Sequence, residues 1–332
     1  MKQKHVVNCQ LSCWYKKFKN STIRSIVIPL QKEFIDYLNQ DGVVLPGSES
    51  ENIQLESDSE SDEWSSGEDC EAATAIAPEF PELIQSIENA IRELGGTVFP
   101  KLNWSAPRDA AWINFDGTLK CTCSSDVFIL LKSSDRVSHD INHPFRKCED
   151  GEDENFIESD GYTLILRKWI TISSSSEFRC FVKKNQLIAI SQRDTAAYYP
   201  YVADNYNTIH SAIKNFFVEK IMGKFPDDSY IFDIYINSND AVKLVDFNPF
   251  GELTDPLLFT WDELSQINVG DQAEPYETLF RFVTSSNGVQ PSPFLSSRVP
   301  RETLNLSSDD DINKMVDFLK STDLINIGGD TN

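Results

Sequence analysis

Three oxygen-bearing side chains, Asp233, Asp246 and Asn248, sit on two short runs whose spacing brings them together. The first run is Tyr230-Ile-Phe-Asp-Ile-Tyr-Ile236 and the second is Val242-Lys-Leu-Val-Asp-Phe-Asn248, joined by Asn237-Ser-Asn-Asp240. Apolar and polar residues alternate in both, and the joint is rich in turn formers, so the segment reads as a β-hairpin. With Asn239-Asp240 as its tip, Asp233 lies directly opposite Asp246. The two-residue period of a strand adds Asn248 to that face. Phe232, Ile234, Ile236, Val245 and Phe247 then make an apolar opposite face. Like charges directly opposed across a sheet are unfavourable unless neutralised. A divalent cation with phosphate oxygens meets that need, because Mg²⁺ takes carboxylate and amide oxygens and shares its ligation with a substrate. The bland alternative is a pair of strand-end carboxylates salt-bridged to Lys or Arg.

Cations that could accompany phosphates occur in three further places. Phe99-Pro-Lys-Leu-Asn-Trp-Ser-Ala-Pro-Arg-Asp109 gathers Lys101, Asn103, Trp104 and Arg108 within eight residues of an otherwise acidic chain. That combination suits an anion: Lys as a point charge, Arg as a planar fork. Leu164-Ile-Leu-Arg-Lys-Trp-Ile170 reads as a strand that ends on Arg167 and Lys168, and its main-chain groups could read the edge of an adenine. Arg179, in Glu177-Phe-Arg-Cys-Phe-Val182, falls on the face opposite Phe178 and could reach a phosphate from the next strand. Taken singly, each of these cations could equally serve an ordinary salt bridge.

The elements that must position these groups follow from periodicity and punctuation. Strands are expected at Thr22–Leu30, Thr97–Lys101, Ala110–Ile113 and Tyr162–Ile170, with a second hairpin at Glu177–Val182 and Gln186–Gln192 around Lys183-Lys-Asn185. Helices are expected at Gln31–Asn39, Pro78–Leu94, Ser124–Leu131, Asp204–Lys220, Trp261–Ile267 and Asp310–Lys320. Hairpins interspersed with helices indicate an α+β fold. There is no Walker A sequence, GxGxxG fingerprint or GxSxG elbow, so side chains and strand edges would have to hold any nucleotide.

The chain has 332 residues and a net charge of −22, of which the run Ser48–Glu71 supplies −10 through ten acids and no Lys or Arg. Such a run cannot bury enough apolar surface to order itself and reads as an insertion. The charge argues against a nucleic-acid or anionic-membrane partner, and no stretch nears the ~18 apolar residues of a membrane span. Seven irregularly spaced cysteines and no signal peptide point to a reducing compartment, cytosol or nucleus, and the cytoplasm is the expected location. Cys9-x3-Cys13 and Cys121-x-Cys123 lack the second half of a zinc site.

Several of these motifs, with Ile190-Ser-Gln-Arg-Asp194, Asp246-Phe-Asn-Pro-Phe-Gly-Glu252 and the opening His5-Val-Val-Asn-Cys-Gln10 and Trp14-Tyr15, resemble the cell division cycle protein 123 family. The resemblance covers nearly everything outside the acidic run. It implies an ATP-grasp fold, in which two α+β lobes grip ATP, and an assembly chaperone for the gamma subunit of eukaryotic translation initiation factor 2; a monomer is expected. By the same resemblance Lys101, Asn103, Ala106, Arg108, Arg167, Lys168, Trp169, Ile170 and Arg179 would contact ATP. Asp233, Asp246 and Asn248 would hold Mg²⁺, and the segment around Trp14 would help to dock the client. The expected organisation is one unit over 1–332: a docking segment at 1–45, the acidic insertion at 46–75, lobes at 76–160 and 161–290, and a tail at 291–332. An ATP-grasp carboxylate-amine ligase is the enzyme alternative. A protein kinase, suggested by Gln192-Arg-Asp194 and Val245-Asp-Phe247, fails because no Gly-rich loop precedes Lys101 and Tyr199 stands where an Asn is needed.

Overall fold

The computed structural model describes residues 1–40, 42, 46, 79–150, 161–269 and 277–285. The acidic run Ser48–Glu71 and the expected helix Asp310–Lys320 lie outside them. Two sheets organise the rest, and the class is α+β. The smaller has the order β1-β3-β2, from Ser25–Pro29, Thr163–Lys168 and Val98–Lys101, and both pairings are antiparallel. β2 is an edge strand, which is where Pro100, lacking an N–H, is tolerated. β3 is central and buried on both faces: Leu164 and Leu166 enter one core, and Ile165 enters the other.

The larger sheet has the order β7-β6-β4-β5-β8. Its strands are β4 (Glu177–Lys183), β5 (Gln186–Gln192), β6 (Tyr230–Ile236), β7 (Val242–Pro249) and β8 (Leu279–Arg281), and only β8 pairs in parallel, with β5. Lys184 and Asn185 take φ of +50° and +60° between β4 and β5, the geometry of a two-residue hairpin turn whose twist matches the strands.

Helices α3 (Lys32–Asn39), α4 (Pro81–Glu93), α5 (Ser124–Lys132) and α6 (Asp135–Asn142) enclose the core of the small sheet around Phe34, Ile87, Leu94 and Phe128. Pro81 suits the first turn of α4. Gly96 ends it at φ +88°, donating its N–H to the Ile91 carbonyl at 2.8 Å. One face of the large sheet packs on α1 (Gln3–Asn8), α2 (Leu11–Phe18), α7 (Pro200–Asp204) and α8 (Tyr206–Phe216), through Trp14, Phe18, Val202, Ile213, Phe232 and Phe247. The opposite face meets α9 (Trp261–Gln266) through Phe181, Ile231, Phe259 and Leu264.

Several elements differ from the sequence reading. Ala110–Ile113 is not a strand but part of a 3-10 turn, Arg108–Ile113. Pro107 leads into it, and the Asp109 carboxylate accepts from Ser134 Oγ (2.5 Å) and the Arg136 N–H (3.2 Å). Helix α6 was not anticipated, although Ser134 caps it by accepting from the Val137 N–H at 3.3 Å. The expected helix Asp204–Lys220 breaks at Asn205 and ends in a π-turn, Phe217–Ile221. The boundary between the two halves also moves. β3 belongs to the small sheet, so the chain passes to the large one between Lys168 and Glu177 rather than at residue 161, and α1 and α2 pack with the large sheet.

Candidate metal and nucleotide site

Asp233 and Asp246 do lie opposite each other, but by an unexpected route. The hairpin tip carries one more residue than expected: the Asn237 N–H bonds the Ala241 carbonyl at 3.1 Å, and Asp240 takes φ +57°. Pairing near the tip is therefore one residue out of step, with Ile234 opposite Leu244 and Ile236 opposite Val242. A β-bulge at Val245 absorbs the difference and restores Asp233 opposite Asp246 and Ile231 opposite Asn248. Leu244, not Val245, consequently enters the core. The Val245 carbonyl is left to accept from Arg167 Nη1 at 2.8 Å.

Each aspartate faces a buried cation. Asp246 Oδ2 meets Lys101 Nζ, which reaches across from β2 and so joins the two sheets. Asp233 is gripped by both arms of Arg179, its register partner on β4, with Nε to Oδ1 and Nη2 to Oδ2 each at 2.8 Å. Arg193 Nε lies 3.8 Å from Asp233 Oδ2. Burial acts to raise the Asp233 carboxyl, but Arg179 and Arg193 outweigh it and hold it at about 2. Asn248 Nδ2 donates to Asp233 Oδ2 at 3.3 Å, so turning the amide over presents its oxygen to the same place. Among the described residues no three His, Cys, Asp or Glu side chains form a metal cluster. Two carboxylates and an amide are a partial donor set, which fits Mg²⁺ that takes its remaining ligands from phosphate and water.

The loop from Lys101 to Arg108 is pinned at four points. Asn103 is wholly buried, accepting from the Thr163 N–H and Oγ1 (2.7 and 3.1 Å) and donating to the Gly161 carbonyl (3.2 Å). Its amide holds the loop to β3 instead of facing the cleft. Trp104 Nε1 donates to the Val6 carbonyl at 2.8 Å. The Ser105 N–H and Oγ donate to Asp140 at 2.7 and 2.9 Å. Burial raises the Asp140 carboxyl to about 6. The Ala106 carbonyl accepts from the Arg108 N–H at 2.7 Å, which folds the loop back and leaves the Arg108 side chain half exposed.

On β3, Arg167, expected at the end of the strand, is a buried brace. Its guanidinium bonds Ser25 Oγ (3.2 Å), Thr22 Oγ1 (3.1 Å) and the Val245 carbonyl, which leaves two of its five N–H donors. Burial pulls its pKa down to about 10. Lys168 is exposed. Its N–H and that of Trp169 donate to the Arg24 and Thr97 carbonyls at 2.9 and 3.0 Å, so both main-chain donors are already engaged.

Trp14 does not present itself to a partner: it is 2 % exposed and packs in the core. Two arginines near Arg108 and Arg179 carry no role in the sequence reading. Arg193 follows β5 and Arg136 lies on α6, each within electrostatic reach of Arg108 and Arg179. The motif around Arg193 was visible in the sequence; its proximity to Asp233 was not.

Residues 14–307 match the model of the D123 family. A translation initiation factor eIF2 assembly protein of Xenopus tropicalis is 46% identical over 330 residues, covering 96% of this chain and 97% of that one. Its namesake from Schizosaccharomyces pombe is 39% identical, covering 92% of each. The solved structure of Cdc123 from the same yeast superposes with a TM-score of 0.69 at 36% identity, over 86% of this chain and 99% of that one. The α+β architecture is thus shared with a chain of known structure.

Proposed function

The chain belongs to the D123 family, and on that premise we propose that it is an ATP- and Mg²⁺-binding assembly factor for eukaryotic translation initiation factor 2, acting on the gamma subunit. The names carried by its relatives support the coarser part of this reading, assembly of that factor. The paired cations and carboxylates support the finer part. Lys101 opposes Asp246 from the other sheet and Arg179 opposes Asp233 from the neighbouring strand, so the site holds anionic and cationic groups in alternation. Mg²⁺ entering between Asp233 and Asp246 takes over their negative charge and releases Lys101 and Arg179 to phosphate oxygens. In this arrangement the metal and the phosphates arrive together, because each relieves the charge that the other leaves unpaired.

In this reading Asp233, Asp246 and Asn248 hold the cation. Lys101, Arg108 and Arg179 meet phosphates, Arg167 locks β3 to β7, and the strip Lys168–Trp169–Ile170 flanks the base. Asn103 and Ala106 shape the loop that carries Arg108. Bound ATP supplies a bridge between the two sheets, and its hydrolysis is not required for that. The acidic surface suits a client with a basic, nucleic-acid-binding face.

The test is calorimetry of Mg-ATP on wild type and on the double variant Asp233→Ala/Asp246→Ala, with capture of the gamma subunit in parallel. Loss of nucleotide binding together with weakened capture supports the reading. Undiminished binding by the double variant refutes the assigned site. Removing residues 1–20 is unsuitable, because it would strip Leu11, Trp14 and Phe18 from the core.

A further inference from the structure

Arg193 lies at the end of β5 with its side chain three-quarters buried. Its guanidinium makes no hydrogen bond among the described residues, and the nearest carboxylate oxygen, on Asp233, is 3.8 Å away and already holds Arg179. A second open fork stands close by. Arg108 is half exposed, and its closest carboxylate oxygen, Glu177 Oε2, is 4.0 Å away. The Arg193 N–H donates to the Glu177 carbonyl at 3.0 Å, so both arginines flank one residue of β4. A mostly buried cation whose five donors are unmade is costly unless an anion completes it. Lys101 is differently placed: it already contacts Asp246, from the small sheet.

We propose that Arg193, with Arg108, forms the subsite for the terminal phosphate of a nucleoside triphosphate, and that these two residues make the protein distinguish ATP from ADP. The proposal rests on the nucleotide reading given above and deepens it. When Mg²⁺ occupies the Asp233 carboxylate, Arg193 loses its nearest anion, and the γ-phosphate replaces that anion. The α- and β-phosphates are left to Lys101 and Arg179, so ADP forfeits only what Arg193 and Arg108 provide.

The experiment measures Mg-ATP and Mg-ADP dissociation constants by calorimetry for wild type, Arg193→Gln and Arg108→Gln. The wild type should prefer ATP. Arg193→Gln should weaken ATP by about 10- to 100-fold, the worth of charge-assisted hydrogen bonds, while ADP changes less than about threefold. Arg108→Gln, at an exposed position that folding does not require, should erode the same preference. ATP and ADP weakening together in both variants, or an unaltered preference, overturns the proposal while leaving the nucleotide site intact. A wild type that binds neither nucleotide overturns the underlying reading as well.

Discussion

The indole of Trp14 meets the ring of Phe247 edge-on, with centroids 5.2 Å apart and planes at 79°. Phe247 is the residue between Asp246 and Asn248, so the first turns of the chain buttress the strand that carries the candidate metal ligands. Phe18 adds a second contact to the same ring at 5.1 Å. Trp14→Ala should therefore cost about 3–5 kcal/mol of stability, the usual range for emptying a buried aromatic site. It should also weaken Mg-ATP binding, although residue 14 touches no ligand. Chemical denaturation with nucleotide calorimetry on the same sample checks both. A destabilised variant that keeps full affinity would show that Phe247 is held without help from α2.

Lys101 and Asp246 make a pair between the two sheets, and both side chains are largely buried. Removing one partner of a buried pair leaves an uncompensated charge and typically costs about 3–5 kcal/mol. Lys101→Met should thus be destabilised without ligand. Asp246 would then be an open carboxylate beside Asp233, and Mg²⁺ alone can neutralise it. Magnesium should raise the melting temperature of Lys101→Met more than that of wild type. Equal responses in the two proteins would mean that the ion does not bind at Asp246.

In the wild type the metal should need the nucleotide. Its aspartates are neutralised by Lys101 and Arg179, so Mg²⁺ alone gains little, and ATP without metal must compete with two carboxylates for those cations. Thermal melts in Mg²⁺, in ATP with a chelator, and in both together should give a large upward shift only in the last. At a hundred times the dissociation constant the added stability is about 2.7 kcal/mol. An equal shift from ATP with chelator would remove the metal from the site.

How far these features can be read from the chain depends on their range. The facing of Asp233 and Asp246 was legible because a strand's period of two is local. The alternation of Phe232, Asp233 and Ile234 fixes which side chains share a face. The bulge at Val245 was not, since one extra residue there is offset by a longer tip and the sum of the pairing is unchanged. Arg167 looked like a strand-end cation because its partners, Ser25, Thr22 and the Val245 carbonyl, are at least 78 residues away in sequence. Helices α1 and α2 were missed although Leu11, Trp14 and Phe18 follow helical spacing. The resemblance assigns that segment to docking a client, whereas its apolar side chains close the core.

Asp140 provides a pH test away from the metal ligands. It is buried and accepts two hydrogen bonds from Ser105, which hold the Lys101–Arg108 loop in place. Burial raises its carboxyl from 3.8 to about 6, above the value it has in the unfolded chain. The folded protein therefore binds more protons than the unfolded one between those two values. Stability from this group falls as pH rises through that window and levels off above pH 6. A difference of about two units corresponds to about 3 kcal/mol across it. Asp140→Asn cannot titrate, so its urea midpoints between pH 4.5 and 7 should lose that downward slope relative to wild type. An unchanged slope would place the titration elsewhere, and Asp140 would then stay ionised against Ser105 throughout.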